Sequence, residues 1–115
     1  MGLHEDEIRA RHMLDAARKA VEFCRDKART DLDQDELLSL ALIRPVEVIG
    51  EAAKGVSLEF RSRAGDIPWR EIAGTRDRLI HGYADVDLDI VWHIVSEDLP
   101  PVIATLERIL AGETD

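Results

Sequence analysis

The chain has one cysteine, Cys24, and so can form no disulfide within itself. That excludes a disulfide-stapled framework and fits a reducing compartment. No apolar run approaches the ~20 residues needed to span a bilayer. The first residues, Met1 to Glu7, are polar and acidic, the wrong character for a signal peptide. These absences place the chain in the cytoplasm as an expectation. The seven glycines are scattered and build no phosphate-cradling loop. His4, His12, His81 and His93 show no H-E-x-x-H spacing, and a single cysteine cannot build a zinc site. Asp85, Asp87 and Asp89 alternate, but the glycine and distal glutamate of a calcium loop are missing, and capping of a following helix explains them more simply. No metal and no cofactor is expected. Strand-like alternation, internal repeats and low-complexity stretches are also absent.

What is present is charge, unevenly spread. Over 115 residues the net charge is −9, a balance that disfavours nucleic acid, since affinity for phosphate rests on Lys and Arg. Residues 61–83 run against that balance, with Arg61, Arg63, Arg70, Arg76 and Arg78 facing Asp66, Glu71 and Asp77. Arginine offers a planar fork suited to phosphate. By charge alone, a solvated face with ordinary ion pairs explains this block slightly better.

The apolar periodicity predicts an all-α, up-and-down bundle of four to five helices, in a single domain over residues 1–115. The first helix is expected from about Glu5 to Ala28, with Met13, Ala17, Ala20, Cys24 and Ala28 in one stripe. Cys24 therefore reads as core rather than nucleophile. A joint at Thr30–Asp33 follows. The second helix is expected from about Gln34 to Val56, with Asp33 and Glu36 resembling a capping box. Leu37, Leu38, Leu40, Ala41, Leu42 and Ile43 cover most of its circumference, which predicts a central helix or one at a subunit interface. Pro45 should kink it. Gly50, costly inside a helix, implies close approach of a neighbour. A third helix starts near Pro68 and ends near Gly82. A fourth begins after Asp87, with Leu88, Val91, Val95, Leu99, Val102, Leu106 and Ile109 as its stripe. Pro100-Pro101 should bend or split it.

Arg76 and His81 are the residues with chemistry to offer. A histidine can exchange a proton near neutrality, and an arginine can stabilise charge growing on a phosphate. Alone, one Arg and one His five apart mean little. At about 100° per residue they point roughly 140° apart on an ideal helix, while Arg76 and Tyr83 nearly align. Either the helix ends near Gly82 and reorients His81, or a second subunit completes the site.

The stretch Arg76-Asp77-Arg78-Leu79-Ile80-His81-Gly82-Tyr83 resembles the R-x4-H-x-Y motif of HEPN domains of the HepT-like ribonuclease toxin family. Other segments match that family's layout in order: Val48-Ile49-Gly50-Glu51-Ala52-Ala53, then Pro68-Trp69-Arg70-Glu71-Ile72-Ala73-Gly74, then Val86-Asp87-Leu88-Asp89-Ile90-Val91-Trp92. The resemblance covers nearly the whole chain. It implies a helical bundle that forms a homodimer, with two motifs facing across a cleft and cutting RNA without a metal. It implies Arg76 and His81 as catalytic residues. Asp77 stands where the family commonly carries Asn, as a supporting residue able to orient His81. Arg70 and Arg78 are candidate RNA contacts. The implied system is a type VII toxin–antitoxin pair, whose antitoxin is an MntA-type nucleotidyltransferase that adds AMP to Tyr83. Two other readings stand beside it. One is a non-catalytic nucleotide-binding or regulatory subunit of a nucleotidyltransferase, which the acidic balance and Asp77 favour slightly. The other treats the motif as a helix end packed on a dimer seam.

Overall fold

The computed structural model describes residues 3–79 and 86–112, of which Leu3, Arg76 and Leu79 are described by backbone alone. It is an all-α bundle, and among the described residues there is no strand. The helices are α1 (Leu3–Phe23), α2 (Arg29–Gln34), α3 (Glu36–Lys54), α4 (Leu58–Arg63), α5 (Trp69–Ala73), α6 (Thr75–Leu79), α7 (Leu88–His93) and α8 (Leu99–Leu110). A π-helical turn, Ile94–Asp98, joins α7 to α8. The long helices α1, α3 and α8 form the frame, and α5 and α6 lean on α3. The expected stripes meet in one core built from Met13, Leu42, Val46, Ile49, Ile72, Val91, Ile94, Leu99, Val102 and Leu106.

Local chemistry moves several expected boundaries. α1 ends at Phe23 rather than Ala28, because the chain turns through Cys24–Asp26 with Asp26 in the left-handed region at φ 61°. Aspartate tolerates that conformation better than most residues. Cys24 is consequently half-buried at the rim of the core, and burial pushes its thiol up, away from the reactive thiolate. The Thr30–Asp33 joint is itself helical, since the Asp31 carboxylate accepts the Ala28 N–H at 2.7 Å and caps α2. The N-cap of α3 is Asp35, not Asp33: its side chain accepts the Leu38 N–H at 3.1 Å. Asp33 is occupied inside α2, paired with Arg29 at 3.1 Å.

Helix α3 is two-faced rather than central all round. Leu38, Leu42, Pro45, Val46, Ile49, Gly50 and Ala53 are buried on one side. At 100° per residue the opposite side carries Leu37, Leu40, Ala41, Arg44 and Val48. Leu37 is 80% exposed and Leu40 58%. α3 runs on past Pro45 without a break in its helical span. Gly50 does mark a close approach: a Cβ there would stand 3.2 Å from the Ile72 carbonyl and 3.5 Å from the Thr75 Cβ. α5 and α6 are thus seated directly on α3's backbone. Gly50→Val should lower unfolding stability by about 1–3 kcal/mol, the range for overpacking, in a urea titration. A variant as stable as the wild type would contradict that tight seat.

Asp6 is a buried carboxylate, 2% exposed. It accepts hydrogen bonds from the Ser57 N–H at 2.9 Å and the Ser57 hydroxyl at 2.6 Å. Burial pushes its carboxyl up, but the two Ser57 bonds outweigh that and hold it below the ordinary value. Ser57 in turn caps α4 through the Phe60 N–H at 3.2 Å, so α1 fixes where α4 begins.

Pro100-Pro101 interrupts the regular α-helix without ending the last helical stretch. Prolines at 100 and 101 cannot donate to the carbonyls of Ser96 and Glu97, and their rings would crowd those carbonyls in a regular α-helix. The helix widens instead, and the Leu99 N–H reaches back five residues to the Ile94 carbonyl. Helical structure continues from Leu88 to Leu110.

Candidate functional site

The candidate site is built on α5 and α6. Trp69 anchors α5: it is buried, donates its indole N–H to the Ala64 carbonyl at 3.0 Å, and meets Phe60 edge-on at 6.2 Å. Gly74 ends α5, with its N–H bonded to the Arg70 carbonyl at 3.0 Å. α6 restarts at once with Thr75, which is 1% exposed and donates its hydroxyl to the Glu71 carbonyl at 3.3 Å. The single third helix expected from Pro68 to Gly82 is therefore two short ones within the described residues. Their junction is locked against α3 by Ile72 and Thr75.

Arg76 lies in the first turn of α6 by its backbone, and its side chain is outside the described residues. His81, Gly82, Tyr83 and Asp85 also lie outside them. Asp77 is exposed on α6, and Arg70 is exposed on α5. Arg78 is half-buried, with 32% of its side chain exposed. Its Nη1 stands 4.0 Å from Asp98 Oδ2, and it donates to the Glu71 carbonyl at 3.5 Å.

The basic block is not one phosphate-facing patch. Arg61 stacks over the Trp69 ring at 5.6 Å and donates to the Ala53 carbonyl at 2.8 Å. Its Nε is buried with no hydrogen-bond partner among the described residues. Arg63 lies over the Phe60 ring at 5.9 Å. Both side chains serve the packing around Trp69. Arg70 remains as an exposed arginine beside α6.

Asp98 escaped the sequence reading, and His93 was read there only as one of four histidines without metal-site spacing. Asp98 sits at the end of the π-helical turn, with Oδ1 3.5 Å from His93 Nε2 and Oδ2 toward Arg78. The Pro100-Pro101 pair was the available signal, since π-turns recur at functional sites. Of the acids after the motif, Asp87 caps α7: its Oδ1 accepts the N–H groups of Asp89 and Ile90 at 3.0 and 3.2 Å. Asp89 also takes the Arg29 side chain at 2.6 Å, tying α2 to α7.

Elsewhere, a groove of about 770 Å³ runs between α1 and α3, with Ile8, Arg9, His12, Arg44, Val48 and Glu51 among its walls. Among the described residues it draws no lining from α5 or α6. Among the described residues no group of His, Cys, Asp and Glu is placed to hold a metal ion. No described helix is long and apolar enough to cross a membrane.

Residues 13–109 match the family model described as ribonuclease HepT-like. A candidate RNase of Caldanaerobacter subterraneus subsp. tengcongensis is 35% identical over 102 residues, covering 89% of this chain and 91% of the relative. A "probable ribonuclease HepT" of Thermococcus cleftensis is 40% identical over 88 residues, covering 76% of this chain and 80% of the relative. A Methanocaldococcus jannaschii protein named as both a gamma-glutamylcyclotransferase and a candidate RNase is 36% identical over 104 residues. That alignment covers 90% of this chain but only 47% of the longer relative. No solved structure matches the chain significantly.

Proposed function

This chain belongs to the ribonuclease HepT-like family, and we propose that it is itself an endoribonuclease that cuts RNA without a metal ion. The observation that carries the reading is the Arg76-to-Tyr83 motif inside the matched span 13–109, beginning in the first turn of α6 on the helix pair seated on α3. His81 takes the proton from a ribose 2′-OH or gives one to the departing 5′-oxygen. The 2′-oxygen bonds to phosphorus, the P–O5′ bond breaks, and a 2′,3′-cyclic phosphate remains. Arg76 stabilises the crowded phosphorane through its fork. Arg70, exposed one helix earlier, is a candidate contact to the RNA backbone. Asp77, exposed next to Arg76, supports the orientation of His81. Incubating the purified chain with single-stranded RNA tests this. Shortened products from the wild type and none from Arg76→Ala support the reading, and intact RNA from both overturns it.

The active form is a homodimer. The outer face of α3 supports this, since Leu37 and Leu40 stand 80% and 58% exposed in line with Val48. Burying such a face is what a second copy provides. Light scattering that shows only monomer at micromolar concentration would count against it.

The chain is the toxin of a type VII toxin–antitoxin pair, and its antitoxin is an MntA-type nucleotidyltransferase. The Tyr83 phenol attacks the α-phosphorus of ATP, pyrophosphate leaves, and the attached AMP then occupies the space an RNA phosphate needs beside Arg76. Coexpression with such an enzyme, followed by intact-mass measurement, checks this. A gain of one AMP that Tyr83→Phe abolishes agrees with it. A gain that survives the substitution, or no gain at all, contradicts it.

A second reading keeps weight from the net charge of −9 and the exposed Asp77. In it the chain is a non-catalytic nucleotide-binding subunit of a nucleotidyltransferase, and Arg76 and His81 hold a nucleotide phosphate. Nucleotide binding without any RNA cleavage would select it.

A further inference from the structure

We propose that Asp98, on the π-helical turn, is a positioning residue that sets the rotation of α6, the helix whose first turn carries the Arg76 position. The inference rests on the ribonuclease reading for its consequence, but not for its geometry. α6 spans only Thr75–Leu79, and a helix of one and a half turns cannot hold its own orientation. Among the described side chains, two attachments tie it to elements other than α5. Thr75 is pressed against α3 at Gly50, where the Thr75 Cβ lies 3.5 Å from the place a glycine Cβ would take. Arg78, three residues later, faces Asp98 at 4.0 Å. The two anchors bracket Arg76, so rotation of α6 about its axis is resisted at one end by packing and at the other by charge.

Asp98 is itself held for this task. It is 22% exposed in its side chain, and its second oxygen stands 3.5 Å from His93 Nε2. Its direction depends on the wide turn. The extra residue accommodated between Ile94 and Leu99 rotates the downstream helix by about 100° relative to a regular α-helix. Pro100 and Pro101 impose that turn by lacking N–H donors. The proline pair therefore has a use beyond interrupting a helix: it turns a carboxylate toward the helix that carries the motif. Arg78 then serves as a tether rather than an RNA contact.

The test uses Asp98→Asn, which keeps shape and removes charge, with Asp98→Glu as the conservative partner. For Asp98→Asn we expect kcat for RNA cleavage to fall about ten- to hundredfold, the cost of a misplacement near 1 Å, with KM little changed. Asp98→Glu should recover part of the loss. Adding Arg78→Met to Asp98→Asn should cost little more, since both act through one contact. Amide hydrogen exchange across Thr75–Leu79 should quicken in Asp98→Asn while global unfolding stability is kept. A carboxylate that merely repels RNA predicts the opposite kinetics, because removing an acid near a phosphate path strengthens binding. Faster cleavage by Asp98→Asn, or wild-type kcat together with wild-type exchange in α6, overturns the proposal. If the wild-type chain cleaves no RNA, the ribonuclease reading falls and the exchange measurement alone decides whether Asp98 holds α6.

Discussion

Replacing His81 with alanine should reduce RNA cleavage about 10²- to 10⁴-fold, the contribution typical of one general acid or base. The loss should fall on kcat, because the imidazole acts when the 2′-oxygen and the 5′-oxygen exchange places on phosphorus. RNA affinity should persist, since it comes from arginines. Far-UV circular dichroism separates the possible causes: an unchanged helical spectrum with lost activity assigns the effect to chemistry. Lost helix along with lost activity would move His81 into the fold's support. Cleavage at the wild-type rate would remove His81 from the mechanism.

Trp69→Ala should cost about 3–5 kcal/mol of stability, the range for emptying a large aromatic from a core. Small domains have only about 5–15 kcal/mol to lose, so the effect is a large share of the total. Trp69 is 7% exposed, is packed against Phe60 at 6.2 Å, and is overlain by Arg61 at 5.6 Å. Truncation leaves a cavity, takes the indole donor from the Ala64 carbonyl, and exposes the already under-bonded Arg61 Nε to rearrangement. α5 leads straight into α6 at Gly74, so RNA cleavage should fall with stability. Urea unfolding followed by circular dichroism measures the first effect. A cost below about 1 kcal/mol, the scale of an ordinary surface change, would show that α5 is held by something other than Trp69.

The frame of the fold was legible because it is periodic. Met13, Ala17 and Ala20 on α1, and Val91, Val95, Leu99, Val102 and Leu106 on the last helical stretch, are buried as their spacing predicts. Gly50 was legible for the same reason, since an interior helical glycine demands a neighbour. Short elements were not legible. α2 and α4 are one and a half turns each, and their caps use Asp31, Asp6 and Ser57 in combinations that depend on chain neighbours or on α1. The proline pair was legible as an interruption of the last α-helix, but not as the wide turn that carries helical structure through it. The arginine block read by charge as a solvated face with ordinary ion pairs, and charge counting cannot see that Arg61 and Arg63 lie over rings. Arg76, His81 and Tyr83 were singled out by pattern alone. The partner of Arg78 is 20 positions away at Asp98, a tertiary contact that no local spacing encodes.

The central claim is that this chain cuts RNA by 2′-oxygen attack with its own side chains. Its most direct test is to incubate the purified protein with single-stranded RNA in excess EDTA and to identify the new ends by mass spectrometry. Undiminished cleavage with 2′,3′-cyclic phosphate and 5′-hydroxyl ends, absent from His81→Ala, is the predicted result. Cleavage that EDTA abolishes, or fragments carrying 5′-phosphate and 3′-hydroxyl ends, would contradict it.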